Sequence, residues 1–307
     1  MLNYAVRRIL GAIPTLFIII TLTFFLIRLA PGGPFDQEQT LPPEIEANLK
    51  AAYHLDKPML VQYGYYLSNL ARGDFGPSFK FKDFTVTQLI WQGFPVSMRI
   101  GLTAMLVALL AGISLGSYAA LRQNSRVDYS VMTVAMVGVA IPNFVVAPLL
   151  SLIFGIYLGW LPVAGWNDGA LSHLILPVTA LSLPYIAYIA RLTRGSMIEV
   201  LGTNYIRTAR AKGLPERTII TRHAFKAALL PVVSFLGPAT ARIISGSLVI
   251  EQIFGLPGIG RYFVQGALNR DYTLVMGVVI FYATLIIVFN LVVDLVYAWL
   301  DPRVQYE

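Results

Sequence analysis

The sequence predicts an all-α membrane protein, a six-span helix bundle with an external cap region, in one domain from 1 to 307. Three observations carry that prediction. Of the 307 residues, 56% are hydrophobic and only 13% charged, with a mean hydropathy of +0.67. A soluble domain of this length carries roughly a quarter charged residues. Six apolar runs are each long enough to cross about 30 Å of hydrocarbon at about 1.5 Å per helical residue. The basic residues gather in the connections between those runs. A net charge of +7 and a pI near 9.6 would also suit a nucleic-acid binder, but their placement beside apolar runs assigns them to topology. Cysteine is absent, which excludes disulfide support for an external part and thiolate chemistry.

The first span is expected at 9–30, behind Arg7 and Arg8. It imitates a signal peptide, yet it is longer than a typical apolar signal core and no A-x-A cleavage pattern follows, so it is expected to stay attached. The segment 31–98 comes next as the cap. Its Lys50, Lys57, Arg72, Lys80 and Lys82 stand against Asp36, Glu38, Glu44, Glu46, Asp56, Asp74 and Asp83, a slightly acidic balance. EIEANLKAAYHL and PMLVQYGYYLSNLARGDFG read as short amphipathic helices, the second ended by Gly73. Tyr63, Tyr65, Tyr66, Phe75, Phe79, Phe81 and Phe84 give the cap an aromatic character that suits a docking surface or the membrane interface equally.

The remaining spans are expected at 99–121, 131–158, 173–193, 231–252 and 274–299. Pro14, Pro142, Pro148, Pro177 and Pro184 interrupt several, which a bundle tolerates where neighbours satisfy the freed backbone groups. Gly112-x-x-x-Gly116 and Gly155-x-x-x-Gly159 would let helices approach closely. Arg7 and Arg8, then Arg122 and Arg126, then the basic fourth connection from Arg194 to Lys226, then Arg303 alternate correctly to share one side. The positive-inside rule therefore puts both termini in the cytoplasm and 31–98 outside.

The fourth connection, within 199–230, differs from an ordinary loop. TNYIRTARAKGLPERTIITRHAFKAALLPVV reads as two short helices. Thr203 or Asn204 caps the first, Tyr205, Ile206 and Ala209 share one face, and Gly213 supplies the left-handed residue that ends it. Pro215 sits where the second helix starts, with Glu216 beside its positive end. Arg207, Arg210, Lys212, Arg217, Arg222 and Lys226 project from the pair, a surface built to be gripped on the cytoplasmic side.

Catalytic constellations are missing. His54, His173 and His223 are isolated, without the spacing of a metal site. None of the six lysines precedes Ser or Thr, so a GK[ST] phosphate loop is excluded. The run Gly255-Leu-Pro-Gly258-Ile-Gly260 reads as a tight external turn. The chain is therefore not expected to be an enzyme or to hold a cofactor. Charges inside spans are the remaining signal. Arg242 lies eleven residues past Pro231, about 16 Å into the bilayer, where it costs roughly 2.5–3.5 kcal/mol without a partner or water. Asp294 lies on the last span and Glu251 near the external end of the fifth.

These segments carry a resemblance. RTA at 207–209, three residues, then Gly213 resembles the "EAA" loop of ABC-importer permeases; the longer RTARAKGL and RHAFKAALLPVV resemble its peptide/nickel branch. Arg207 stands in place of the motif's Glu, and the spacing from Gly213 to Leu230-Pro231 is longer than in the generic motif, as is normal in that branch. RRILGAIPTLFIIITLTFFLIRLAPGGPF, YHLDKP, GDFGPSFK, FPVS, GSLVIEQIFGLPGIGRYFVQGALNRDY and FNLVVDLVYAWLDPRV are similar to the branch's oligopeptide B subunits, so the resemblance covers essentially the whole chain.

The resemblance implies a type I ABC-importer permease of a bacterial inner membrane, forming half of an oligopeptide path. It implies a second, C-type permease subunit, two ATPase subunits that bind ATP and Mg, and a periplasmic peptide-binding protein docking beside the cap. It places ATPase coupling on Arg207, Thr208, Ala209, Arg210, Lys212 and Gly213. Arg242, Ser245, Glu251 and Asp294 are candidates for the translocation path, with two readings open for Arg242: a watery site for a peptide carboxylate, or an ion-pair partner of Asp294. Dipeptide permeases of the branch carry a longer second external region than the one between Trp160 and His173, which favours oligopeptides. A dipeptide, nickel or other small-solute permease is the alternative, but intramembrane positions rich in His or carboxylate are lacking. A channel or stand-alone secondary transporter would need a selectivity ring, proton relay or inverted repeat, none of which is evident.

Overall fold

A computed structural model of the chain describes residues 2–29, 54–81, 83–245 and 247–300; the side chains of 2–9 and 294–300 lie outside the description. The main helices are α1 (Leu2–Leu29), α2 (Met59–Ala71), α3 (Val86–Leu121), α4 (Arg126–Ala140), α5 (Asn143–Leu150), α6 (Leu171–Leu201), α7 (Asn204–Ala211), α8 (Leu230–Ser245), α9 (Leu248–Ile253), α10 (Ile259–Leu268) and α11 (Tyr272–Leu300). Five stretches are long and apolar enough to span, Leu230–Ile253 among them as α8 with α9, and α4 with the Asn143–Tyr157 segment makes a sixth if a bent pair counts as one span.

The expected third span at 131–158 is thus broken, by a bend of 100°. The cause is local. A proline crowds the residue before it out of the helical region, and Ile141 is extended at φ −88°, ψ 118°. A new helix starts after Pro142 and relaxes to π-type turns over Ser151–Tyr157. The second span is longer than expected, because Thr85 and Gln88 form a reciprocal capping box that starts α3 at Val86. Its 36 residues are about 54 Å long at 1.5 Å per residue, so the outer part of α3 belongs to the cap.

The core lies where α3 packs along α6. Gly112 sits against Ile189, where an added Cβ would come within 2.8 Å of the side chain, and Gly116 sits on the Ala190 carbonyl. This glycine pair does the close packing that its spacing suggests. Gly155 and Gly159 do not: Gly155 packs on Val163 of its own connection, and Gly159 turns the chain at φ +62°.

At the cap end, Phe24 of α1 is buried against Tyr63 and Tyr66 of α2. Thr21 shares a 2.6 Å hydrogen bond with Tyr63, and Arg28 donates to Gln62. Asp271 accepts from Ser78 and the Lys80 amide, which fastens the chain before α3 to the start of α11. Gly73 ends α2 as expected, at φ +77°. Of the cap's aromatic residues Tyr66 is buried, Tyr63, Phe75, Phe79 and Phe81 are half-buried, and Tyr65 and Phe84 are exposed. The expected helix EIEANLKAAYHL and Asp36 fall almost wholly or wholly outside the described residues.

Candidate functional site

The opposite end of the bundle carries the basic segment. Helix α7 is backed by Ile206 and Ala209, which join Ala120 of α3, Met197 of α6, and Ile219, Ala224 and Ala228 in one buried cluster. Tyr205, expected on that face, is exposed. Thr203 occupies the cap position but donates its hydroxyl to the Val200 carbonyl at 2.6 Å, closing the end of α6 rather than the start of α7. Gly213 takes φ +75°. The second helix starts at Pro215 but is composite: Glu216–Thr218, then π-type turns over Ile219–Ala224, then Phe225–Ala228. Arg207, Thr208, Arg210, Lys212, Arg217, Arg222 and Lys226 are all exposed. Arg210 donates to Glu216 at 2.7 Å, and this bond holds the guanidinium pKa above its ordinary value.

Arg194 was expected in the connection, yet it lies inside α6. It grips Asp128 of α4 through both carboxylate oxygens, at 2.5 and 2.6 Å, with the carboxylate buried. Asp128 also accepts from the Asn124 amide. The pattern Ser125-x-x-Asp128 ahead of an apolar run signals the start of α4, where the Ser125 hydroxyl accepts from the Asp128 amide, and it gives no sign of Arg194.

The four path candidates separate. Arg242 is exposed on α8, and Ser245 donates its hydroxyl to the Arg242 carbonyl. Glu251 is fully buried: one carboxylate oxygen accepts from Ser247, the other from the Gly260 amide at 2.7 Å. Ser97 of α3 holds the neighbouring Ile259 amide at 3.0 Å. Glu251 therefore faces into the chain and fixes the turn that leads to α10. Asp294 lies on α11, its side chain outside the described residues. Gly237 of α8 packs on Val293, so Asp294 is level with a point about five residues, roughly 7.5 Å, from Arg242. This step works against a direct pairing.

Two polar stripes appear side by side. Tyr188, Arg191, Gly195 and Glu199 are exposed along α6, and Pro231, Ser234, Pro238 and Arg242 along α8, each set at the i, i+3, i+7, i+11 positions of one helix face. Tyr188 stacks on Phe235 with centroids 4.3 Å apart. A groove of about 280 Å³ opens between the helices, lined by Tyr188, Arg191, Glu199 and Pro231 among others.

Comparison with known proteins identifies the family. A family profile described as binding-protein-dependent transport system inner membrane component matches residues 112–306, and the N-terminal profile of the same systems matches 1–100. The chain is 60% identical over 306 residues to the oligopeptide transport system permease protein OppB of Escherichia coli (strain K12), covering 100% of both chains. It is 44% identical to the dipeptide transport system permease protein DppB of Bacillus subtilis (strain 168), over 99% of this chain and 98% of that one. Among solved structures, an inward-facing MetNI methionine ABC transporter chain matches with a TM-score of 0.60 at 15% identity, over 70% of this chain and 97% of that chain. An amino acid ABC transporter with histidines matches with a TM-score of 0.56 at 16% identity, over 69% of this chain and 94% of that chain. The type I fold is shared, and the chain belongs to the binding-protein-dependent transport system inner membrane components, the multi-pass permease subunits of ABC importers.

Proposed function

We propose that this chain is the B-type transmembrane subunit of an ATP-driven oligopeptide importer, forming half of its translocation path. Full-length likeness to OppB at 60% identity, against 44% for DppB, carries the reading. Its partners in this reading are a C-type permease subunit, two ATPase subunits that bind ATP and Mg, and a periplasmic peptide-binding protein. The chain's termini and the basic 199–230 segment face the cytoplasm; the 31–98 cap faces the periplasm and the binding protein.

In this mechanism the ATPases grip the exposed face of α7 and the Arg210–Gly213 turn. Closure of the ATPases on ATP pushes α7. Ile206 and Ala209 are packed on the ends of α3 and α6, so the push passes to the spans as rigid-body rocking rather than being lost in a loose loop. Arg242 and Ser245 face the path, while Glu251 supports its outer wall from behind.

The reading is tested on the intact complex, purified with its partners and reconstituted in vesicles. ATP-dependent uptake of oligopeptides in preference to dipeptides or nickel is the expected result, and uptake of dipeptides or nickel alone would overturn the substrate. Orientation is tested in this cysteine-free chain by Lys57→Cys, expected to react with an impermeant thiol reagent from the periplasmic side. Reaction only in inverted vesicles reverses the topology.

A further inference from the structure

We propose that Arg191 is a second carboxylate-binding station at the inner end of the path, receiving the anionic end of a peptide after Arg242. The inference rests on the path reading above and adds a residue to it. Helix α6 carries two arginines one turn apart with different surroundings. Arg194 is locked on Asp128 through two hydrogen bonds. Arg191 is exposed, with its guanidinium 5.3 Å above the Tyr188 ring, and it bonds no carboxylate or carbonyl among the described residues. A structural arginine within a span is expected to have its counter-charge supplied by the chain. Here the neighbour takes the available aspartate and Arg191 keeps its donors free.

The surroundings also hold Arg191 ready. Tyr188 is stacked on Phe235 of α8, so the aromatic platform under the guanidinium is itself fixed by a second helix. The guanidinium lies within cation–π reach of the Tyr188 ring, at 5.3 Å, and its planar fork of N–H donors can take a carboxylate through two bonds. Arg191 and Arg242 belong to the two adjoining polar stripes. Arg242, about 16 Å into the bilayer, would cost roughly 2.5–3.5 kcal/mol facing lipid, and Arg191 lines the groove that adjoins its stripe. The stripes are therefore assigned to water and substrate.

The helices run antiparallel, and Arg191 shares its groove with Pro231, eleven residues before Arg242. The two cations are thus roughly 16 Å apart along the bundle. Four to five extended peptide residues span that distance at about 3.3–3.6 Å each. Two separate, hydrated sites hold an anion more weakly than one enclosed site, which passage requires. Glu199, two turns beyond Arg191 on the same stripe, repels a carboxylate and favours its release.

The test uses the intact complex reconstituted in vesicles, with trialanine and trialanine amide as substrates and ATP hydrolysis followed in parallel. Arg191→Gln is expected to lower trialanine uptake about tenfold, the equivalent of about 1.4 kcal/mol, while amide uptake stays within about twofold and ATP hydrolysis persists. Equal loss of both substrates, or no loss of either, overturns the proposal. Should Arg191→Gln fail to assemble, Arg191→Lys retains the charge without the fork; a selective, smaller loss of trialanine supports the site, and an unselective effect overturns it. Arg242→Gln, measured alongside, separates the two levels. A selective effect at Arg242 alone removes only the Arg191 station, whereas unselective effects at both remove the carboxylate path.

Discussion

Gly-Leu-Pro occurs twice between helices, at 213–215 and at 255–257, near opposite ends of the bundle. Both copies use the same backbone device. Gly213 and Gly255 take φ +75° and +62°. In each, the leucine amide bonds back to the carbonyl five residues earlier, Leu214 to Ala209 at 3.3 Å and Leu256 to Glu251 at 2.8 Å, a Schellman-type helix ending. The side chains diverge. Leu256 is 0% exposed and Leu214 36%. Glu251 is buried with both oxygens bonded, while Glu216 beside the first turn is 59% exposed and meets Arg210, itself 44% exposed. One turn is clipped into the chain's own core; the other has a buried back and a charged face left for another molecule. The tripeptide fixes the turn, and the carboxylate's surroundings decide what the turn is for.

The strongest break of that comparison is at the clipped turn. Leu256→Ala should destabilise the complex by about 3 kcal/mol, since it empties a packed site, while Leu214→Ala should cost less than about 1 kcal/mol. Glu251→Ala should cost about 3 kcal/mol as well, because Ser247 and the Gly260 amide lose their shared acceptor. Thermal unfolding of the purified complex measures both. Similar losses at Leu214 and Leu256 would mean that the two turns are not differently used.

The sequence makes this contrast only half legible. Turn residues announce themselves, because Gly and Pro act through their own backbone; Gly73, Gly213 and Pro215 sit where they are expected. Apolar runs likewise mark five spans that are not bent in two. Whatever depends on a distant partner stays hidden. Nothing local shows that Glu251 faces Gly260, that Asp128 takes Arg194 from sixty-six residues away, or that Thr203 spends its hydroxyl on Val200. The broken third span had a local sign in Pro142, but hydropathy alone sees through a bend, since both halves remain apolar. Arg191 escaped notice for the opposite reason: its open surroundings emerge only when Arg194 is seen to be paired.

At the exposed turn, stability and function should part company. A β-branched side chain opposes the left-handed backbone of Gly213, and an added Cβ there meets no atom within 4 Å, so the strain is conformational and local. Gly213→Val should cost on the order of 1–2 kcal/mol. The expected phenotype is loss of peptide uptake with membrane insertion and assembly intact, as the reshaped turn no longer passes the ATPases' push to α7. Normal uptake by that variant removes the turn from the coupling path.

The smallest effect sharpens the comparison most. Glu216→Gln removes the carboxylate from Arg210, an exposed pair whose attraction is offset by side-chain entropy and screened by salt. The bond holds the Arg210 pKa up, but arginine is charged at neutral pH with or without it, so no protonation change follows. Stability should shift by less than about 0.5 kcal/mol, and raising the salt to about 1 M should erase even that, because the screening length then falls to about 3 Å. Glu251→Gln keeps shape and size while removing the same charge, and its amide oxygen can stay on the Gly260 N–H only if its N–H₂ turns to Ser247, whose hydroxyl then accepts and donates to the Ile244 carbonyl. Replacing a buried charged acceptor of two hydrogen bonds by a neutral group should cost about 1 kcal/mol, independent of salt. Unfolding of the two variants at low and high salt reads the difference directly. A salt-insensitive loss at Glu216 equal to that at Glu251 would place both acids in structural roles, and the exposed face of the first turn would lose its claim to be a handle.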